Sequence, residues 1–343
     1  MEKVLNKTLP EREFRPYRRP LSIPLANAKE TIQQKIGYLL RERLPGQAWR
    51  YAEATPLETL SSGQKEFYED LLIRWQKNDP SASSALANDA LFGFSLWCLS
   101  REIHDETAAK SNRMVQCSTL LPAGSRALQV FPSLLEKGYR TFKWKVGVEE
   151  VPSELKIAEQ LFARASEEVR FRLDANQCWT LSQAKEWSGF LRDAPVEYVE
   201  EPLSPGQDKE LLALADSFPV SLALDERLRL EGGFRRWIEL SWPGFYVIKP
   251  SLCGSVSSWW KLLEKRGGLS RVVLSSALET GIGARHLLYL ARELPGEVPH
   301  GLGVGDLFKD ESPPLSLEEK PFYTSTDLVG EDNFRIWEEA GLL

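Results

Sequence analysis

The sequence is short of the residues from which disulfide frameworks and soft-metal sites are built. It holds four cysteines, three histidines and two methionines in 343 residues. Cys98, Cys117, Cys178 and Cys253 show no CxxC or other metal-ligand spacing, so four free thiols in a reducing compartment are expected. His104 and His286 read as helix residues, and the lone His300 reads as structural. No run of 18 apolar residues occurs, which excludes a membrane-spanning helix. The opening MEKVLNKTLPEREFR lacks the apolar segment of a secretory signal, so a cytoplasmic protein is expected. No P-loop or dinucleotide fingerprint is present. Lys and Arg number 43 against 49 Asp and Glu, a net charge of −6, which removes any general attraction to nucleic acid or anionic membrane.

What is present is a globular composition, with 42% hydrophobic and 27% charged residues, in a chain long enough for two domains or a large barrel with an attached piece. The first third reads as strands followed by helices. EFRPYRRPLSI, KIGYLLRERL and QAWRYAEATP are strand-like, and LETLSSGQKEFYEDLLIRWQKN and SSALANDALFGFSLWCLSREI are helical. From Cys117 the rhythm changes to short apolar runs, each followed by a helical stretch. Lys145, Asp174, Glu200, Asp225, Lys249 and Ser275 mark six of these runs, at successive separations of 29, 26, 25, 24 and 26 residues. A strand, a helix and two loops fit that interval. Eight such runs, the last a weak PHGLG, suggest a (β/α) barrel of the TIM type. The tail from about Asp310 is expected to pack back on the first module. The eleven tryptophans, Trp144, Trp259 and Trp260 among them, are read as core packing.

Period-2 alternation then locates the chemistry. In FKWK, Lys143 and Lys145 share a face. In RLD, Arg172 and Asp174 do, and in EYVE, Tyr198 and Glu200. Asp225 and Lys249 end two later strands in the same way. Strand ends of a parallel barrel open on one mouth, so these side chains should converge. Three carboxylates at one place repel, and an all-oxygen set of Asp174, Glu200 and Asp225 favours Mg²⁺, with Mn²⁺ possible, over zinc. Two neighbouring lysines in a partly dry site ease each other's deprotonation, so Lys145 is the candidate base, with Lys143 keeping its pKa low. A lysine beside a divalent cation suits removal of a proton α to a carboxylate.

KWK (143–145), RLDAN (172–176), VEEP (199–202), LDE (224–226) and VIKP (247–250) resemble the muconate-lactonising branch of the enolase superfamily. RLDANQCW, VEEPL, LALDERL, VIKPSLCGS, the serine-rich SSALETGIG and GLG (301–303) are similar, within that branch, to the o-succinylbenzoate synthase family. The resemblance implies a modified (β/α)7β barrel over 117–309, an α+β capping domain over 1–116, and a C-terminal segment over 310–343. It implies metal-dependent dehydration of 2-succinyl-6-hydroxy-2,4-cyclohexadiene-1-carboxylate to o-succinylbenzoate, a step toward menaquinone or phylloquinone. Mapped by motif, Lys145 takes the α-proton and returns it to the leaving hydroxyl. The metal stabilises the enediolate, and Lys249 stabilises it as a cation from the opposite face. Arg172 and Asn176 lie near the mouth, and Ser275, Ser276 and Gly301 meet the succinyl tail. Glu200 is the ligand in VEEP, and Glu201 turns outward.

The family's GWGE-like strand reads QAWRYAEATP here, with Ala52 before Glu53, so no capping-domain contact is assigned. ETGIG (279–283) is a candidate anion site at a helix N-terminus. The partner is a small-molecule carboxylate, and no interface is readable. An N-acylamino acid racemase or a dipeptide epimerase would use the same lysines, although the last-strand segment PHGLGVGD lacks the DxD expected of the epimerase. A silent scaffold would not bind metal, and a Schiff-base aldolase working through Lys249 would not require one.

Overall fold

A computed structural model describes residues 9–26, 31–57, 59–101, 113–303, 307–308, 315–330 and 332–340. His104, residues 304–306 and the tail's start at Asp310 lie outside the described residues.

The chain opens with an antiparallel sheet of β1 (Glu11–Ala26), β2 (Thr31–Arg43) and β3 (Arg50–Ala54), in that order. Three helices follow: α1 (Ser62–Gln76), α2 (Pro80–Asn88) and α3 (Gly93–Leu99). Local chemistry sets their starts. Ser61 and Gln64 form a capping box on α1, and Asp79 accepts from Ser81 N and Ala82 N ahead of Pro80 at the first turn of α2. A two-residue strand, β4 (Val115–Gln116), leads into the barrel.

The barrel alternates strictly: β5 (Thr119–Leu121), α4 (Ala127–Glu136), β6 (Thr141–Lys145), α5 (Val151–Phe162), β7 (Arg170–Asp174), α6 (Leu181–Phe190), β8 (Val196–Glu200), α7 (Asp208–Ala215) and β9 (Ser221–Leu224). The short α8 (Glu226–Arg229) and α9 (Gly233–Glu239) follow, then β10 (Phe245–Ile248), α10 (Val256–Lys265), β11 (Val272–Leu274) and α11 (Gly281–Glu293). The seven strands pair in parallel in sequence order. Residues 300 and 301 close the ring: His300 bridges Cys117, Gly301 bridges Ser275, and Ser276 N donates to Gly301 O at 2.8 Å. The weak eighth run is therefore a two-residue closure, and the architecture is a TIM-like (β/α)7β barrel with an α+β cap.

Alternation divides the side chains between two cores. Outward residues such as Phe142, Trp144, Phe171, Leu173 and Val199 pack beneath the helices in one large cluster, which also takes in Trp179, Trp187, Trp237 and Trp259. Inward residues Tyr198, Ala223, Val247 and Val273 form a small apolar plug inside the ring. The four cysteines are all free thiols. Among the described residues no helix is long and apolar enough to cross a membrane.

The C-terminal segment adds β12 (Phe322–Tyr323), paired with β4, and α12 (Asn333–Ala340). Ile336, Trp337 and Ala340 of α12 pack with Tyr17, Leu39 and Tyr51 of the first sheet, and Arg15 Nη1 donates to Trp337 O at 2.9 Å.

Candidate active site

The site lies one layer above the apolar plug, at the C-terminal ends of β6 to β10. Lys145, Asp174 and Glu200 stand in register on adjacent strands. Asp225 directly follows β9, and Lys249 directly follows β10. The backbone therefore brings the five side chains to one mouth.

Their pairing is specific. Lys143 Nζ lies 2.8 Å from Asp174 Oδ2 and 2.8 Å from Glu200 Oε1. Lys249 pairs with Asp225 Oδ2. Arg229 Nε approaches Asp225 Oδ1 at 3.4 Å. Lys145, by contrast, is exposed at the mouth and forms no ion pair among the described residues. Lys143, expected as the second charge beside Lys145, is itself tied to two carboxylates. Burial works against the Lys143 ammonium, but Asp174 and Glu200 outweigh it and hold its pKa well above the usual lysine range. Lys143 is thus a fixed cation whose charge is spent on carboxylates. Glu200 moves upward, because burial and the adjacent Asp174 disfavour its charge more than Lys143 and Lys249 favour it. Burial opposes the charge on Asp225 too, yet Lys249, Arg229 and Lys143 prevail and lower its pKa.

The fit to a divalent cation has two sides. Among the described residues no three carboxylate, imidazole or thiolate groups are gathered closely enough to close on an ion as they stand. The intervening places are held by the ammonium groups of Lys143 and Lys249. The donor set nevertheless suits a hard cation. It is all oxygen, and Glu200 Oε2 and Asp225 Oδ1 are buried without a hydrogen-bond donor.

Two of the expected substrate contacts, Arg172 and Ser276, are engaged with protein carboxylates. Arg172 is not at the mouth: it is 1% exposed, one layer down, beside Lys143 and Tyr198. A register shift leaves Glu197 as an extra residue in β8, and Arg172 Nε donates to its carboxylate at 2.6 Å. Asn176 follows Asp174 in a left-handed turn, its N–H donating to Asp174 Oδ1 at 3.1 Å. Ser276 donates to Glu279 Oε2 at 2.5 Å and accepts from Leu278 N at 2.9 Å, so its hydroxyl braces the loop after β11. Ser275 is half-buried at the rim beside Gly301. A Cβ on Gly301 would be in ordinary contact with Ser275 Oγ, at 3.7 Å.

Two further corrections concern carboxylates. Glu201 turns outward from the lumen, yet not into solvent: it is fully buried under the loops around the mouth and paired with Arg227. The anion at the α11 N-terminus suggested by ETGIG is Glu53 of the capping sheet. Its carboxylate accepts from Thr280 N at 2.9 Å, Thr280 Oγ1 at 2.6 Å and Gly283 N at 3.1 Å, and also from the Tyr17 hydroxyl. A Cβ on Gly283 would sit 2.8 Å from Glu53 Oε2, so glycine is needed there. Sequence reasoning missed this contact.

Leu120 was missed too. It pairs in register with Lys143, so it faces the lumen, yet it is 58% exposed. An inward leucine left uncovered is an apolar wall of the mouth.

A parallel barrel with carboxylates on three successive strand ends and lysines on both flanks defines the enolase type of site. Residues 128–265 match the enolase C-terminal domain-like family. The o-succinylbenzoate synthase of Thermosynechococcus vestitus is 32% identical over 85% of this chain and 91% of its own length. That of Aliivibrio salmonicida is 27% identical over 91% and 96%. Among solved structures, o-succinylbenzoate synthase from Thermosynechococcus elongatus BP-1, with Mg in its active site, superposes with a TM-score of 0.77 at 27% identity, over 96% of this chain and 99% of that one. A dipeptide epimerase from Enterococcus faecalis shares the fold at a TM-score of 0.74 and 18% identity, over 92% of this chain and 96% of that one. The chain belongs to the o-succinylbenzoate synthase family of the enolase superfamily.

Proposed function

We propose that the protein is an o-succinylbenzoate synthase, a lyase that removes water from 2-succinyl-6-hydroxy-2,4-cyclohexadiene-1-carboxylate. The observation that carries this reading is the placement of two lysines of different standing around one carboxylate set. Lys145 is exposed at the mouth at the end of β6, and Lys249, four strands on after β10, is anchored on Asp225.

Asp174, Glu200 and Asp225 would hold a divalent cation, Mg²⁺ or Mn²⁺. When bound, it supplies Lewis-acid stabilisation of the negative charge that develops on the substrate carboxylate. The chain's own residues do the rest. Lys145 Nζ takes the proton from the ring carbon bearing the carboxylate. Lys249 keeps its charge through Asp225 and offers a cation to the other side of the ring. The C–O bond to the ring hydroxyl then breaks as the Lys145 ammonium returns the proton, so water leaves and the ring becomes aromatic. Lys143 holds Asp174 and Glu200 together, and Leu120 gives the ring carbons an apolar surface. Ser275 and Gly301 border the place left for the succinyl chain. A cytoplasmic enzyme of menaquinone or phylloquinone biosynthesis fits this chemistry and the four free thiols.

The test is direct dehydration of that substrate by the purified protein with Mg²⁺, repeated with a chelator, following loss of the diene absorbance. Fast, chelator-sensitive conversion is expected. No conversion, together with solvent deuterium washing into an N-acylamino acid, would move the protein to the racemases.

A further inference from the structure

Glu201 follows a site carboxylate in sequence and turns away from it. Its φ of 42° is left-handed, and its side chain is fully buried. Oε1 accepts from Asp225 N at 3.0 Å and from Arg227 N at 2.9 Å. Oε2 accepts from Gln177 Nε2 at 3.4 Å and from the Arg227 guanidinium. The main-chain oxygen of Glu201 accepts from Gln177 N at 2.7 Å. Arg227 is locked in turn: Nη2 donates to Leu203 O at 2.9 Å and Ser204 O at 2.8 Å, and Nε to Asp208 Oδ1 at 3.1 Å.

One side chain therefore joins the loops that follow β7, β8 and β9, the three strands whose ends carry Asp174, Glu200 and Asp225. Those carboxylates repel, and repulsion favours spreading of the loops that bear them. The Asp225 N–H is held by Glu201 Oε1 at 3.0 Å, where the chain leaves β9 for α8.

We propose that Glu201, clamped by Arg227, is a positioning residue that sets the mutual geometry of Asp174, Glu200 and Asp225 for divalent-cation binding. The inference rests on the reading that those three carboxylates hold the cation. Glu201 touches neither cation nor substrate, and it acts through the Asp225 backbone. Glu201→Gln preserves shape but removes the charge facing Arg227, and its NH₂ group must face a guanidinium or backbone N–H donors. Glu201→Asp keeps the charge but is one methylene too short to reach both the backbone N–H groups and the guanidinium. Supporting groups of this kind are worth about 10- to 100-fold in metal affinity.

The experiment is calorimetric titration of chelator-treated protein with Mn²⁺ at low temperature, for the parent, Glu201→Gln, Glu201→Asp and Asp225→Asn, alongside thermal unfolding without metal. For both Glu201 variants the Mn²⁺ Kd is expected to rise about 10- to 100-fold at unchanged stoichiometry. A merely structural role lowers the stoichiometry or the unfolding midpoint and leaves the Kd of the remaining sites alone, and that result overturns the proposal. If Glu201→Gln does not fold, Glu201→Asp decides by the same criterion. Asp225→Asn separates the two readings. If it loses Mn²⁺ while the Glu201 variants bind like the parent, the positioning role is wrong and the cation site stands. If it binds Mn²⁺ like the parent, the cation site is wrong and the positioning role goes with it.

Discussion

Lys143 and Lys145 stand two residues apart on the same face of β6, yet only Lys143 is held by carboxylates. Its ammonium lies 2.8 Å from both Asp174 and Glu200, while Lys145 stays exposed and unpaired among the described residues. The difference follows from depth. Lys143 is one layer lower, where a charge must be compensated, and Lys145 reaches the mouth, where water or substrate meets it. One strand thereby supplies both a paired lysine and an open one.

Lys145→Ala is expected to lower turnover by about 10²- to 10⁴-fold, the range of a general base. It should leave Mn²⁺ binding close to that of the parent, because Lys145 touches none of the three carboxylates. Steady-state rates together with a metal titration check this. A variant retaining most of its activity would remove Lys145 from the role of base.

Asp225→Asn is expected to weaken metal affinity and turnover together, and added Mn²⁺ should recover part of the lost rate. Activity that falls with no change in the metal requirement would place Asp225 outside the ligand set.

Leu120→Asp should lower kcat/KM by about tenfold or more, since the apolar wall beside Lys143 becomes charged. Stability should hardly change, because the side chain is 58% exposed. Unaltered kcat/KM would show that substrate does not reach this wall.

His300 gives the protein a defined response to acid. Its Nδ1 accepts from Leu274 N at 3.1 Å, and burial, aided by Arg172 and Arg113, pushes its pKa down to about 3. In the unfolded chain the imidazole titrates near about 6.5. The stability tied to the neutral ring is therefore present above about 6.5 and is lost as pH falls, because the unfolded chain takes up a proton that the fold refuses. Between about pH 7 and about pH 5 the parent should lose about 2 kcal/mol more than His300→Asn. Urea unfolding of both proteins at the two pH values measures it, and parallel losses would refute the assignment.

Glu53→Gln should cost about 1–3 kcal/mol in urea unfolding, because the buried N–H groups at the start of α11 lose a charged acceptor. A smaller effect than Glu42→Gln, whose carboxylate pairs with Arg12 and Arg50 away from any helix start, would mean the contact adds little.

The barrel and the five ionisable strand ends were legible because both follow from short-range rules. Alternation at period 2 and a near-constant repeat length need no knowledge of the third dimension. The features that escaped are those fixed at long range. Glu53 and Thr280 are 227 residues apart, and no local pattern joins them. Arg172 shares the predicted face, but the shift at Glu197 provides it with a partner below the mouth. Alternation correctly turned Glu201 away from the lumen, yet it says nothing of Arg227, which keeps that side chain buried. The pairing of Lys143 was hidden for a related reason, since sequence places it beside Lys145 and only the fold places it below the carboxylates.

The Glu53 contact bears on how such proteins can be recombined. Thr280 caps Ile282 N at the first turn of α11, but Thr280 N and Gly283 N are satisfied by a side chain from the other domain. Neither half is then a self-sufficient module. A chimaera joining this barrel to a foreign cap must carry an acidic residue at the matching point of its third strand. Without one, the unsatisfied helix start lies beside the loop bearing Ser275 and Ser276. A cap swap is therefore expected to keep the start of α11 intact only when the donor carries this residue.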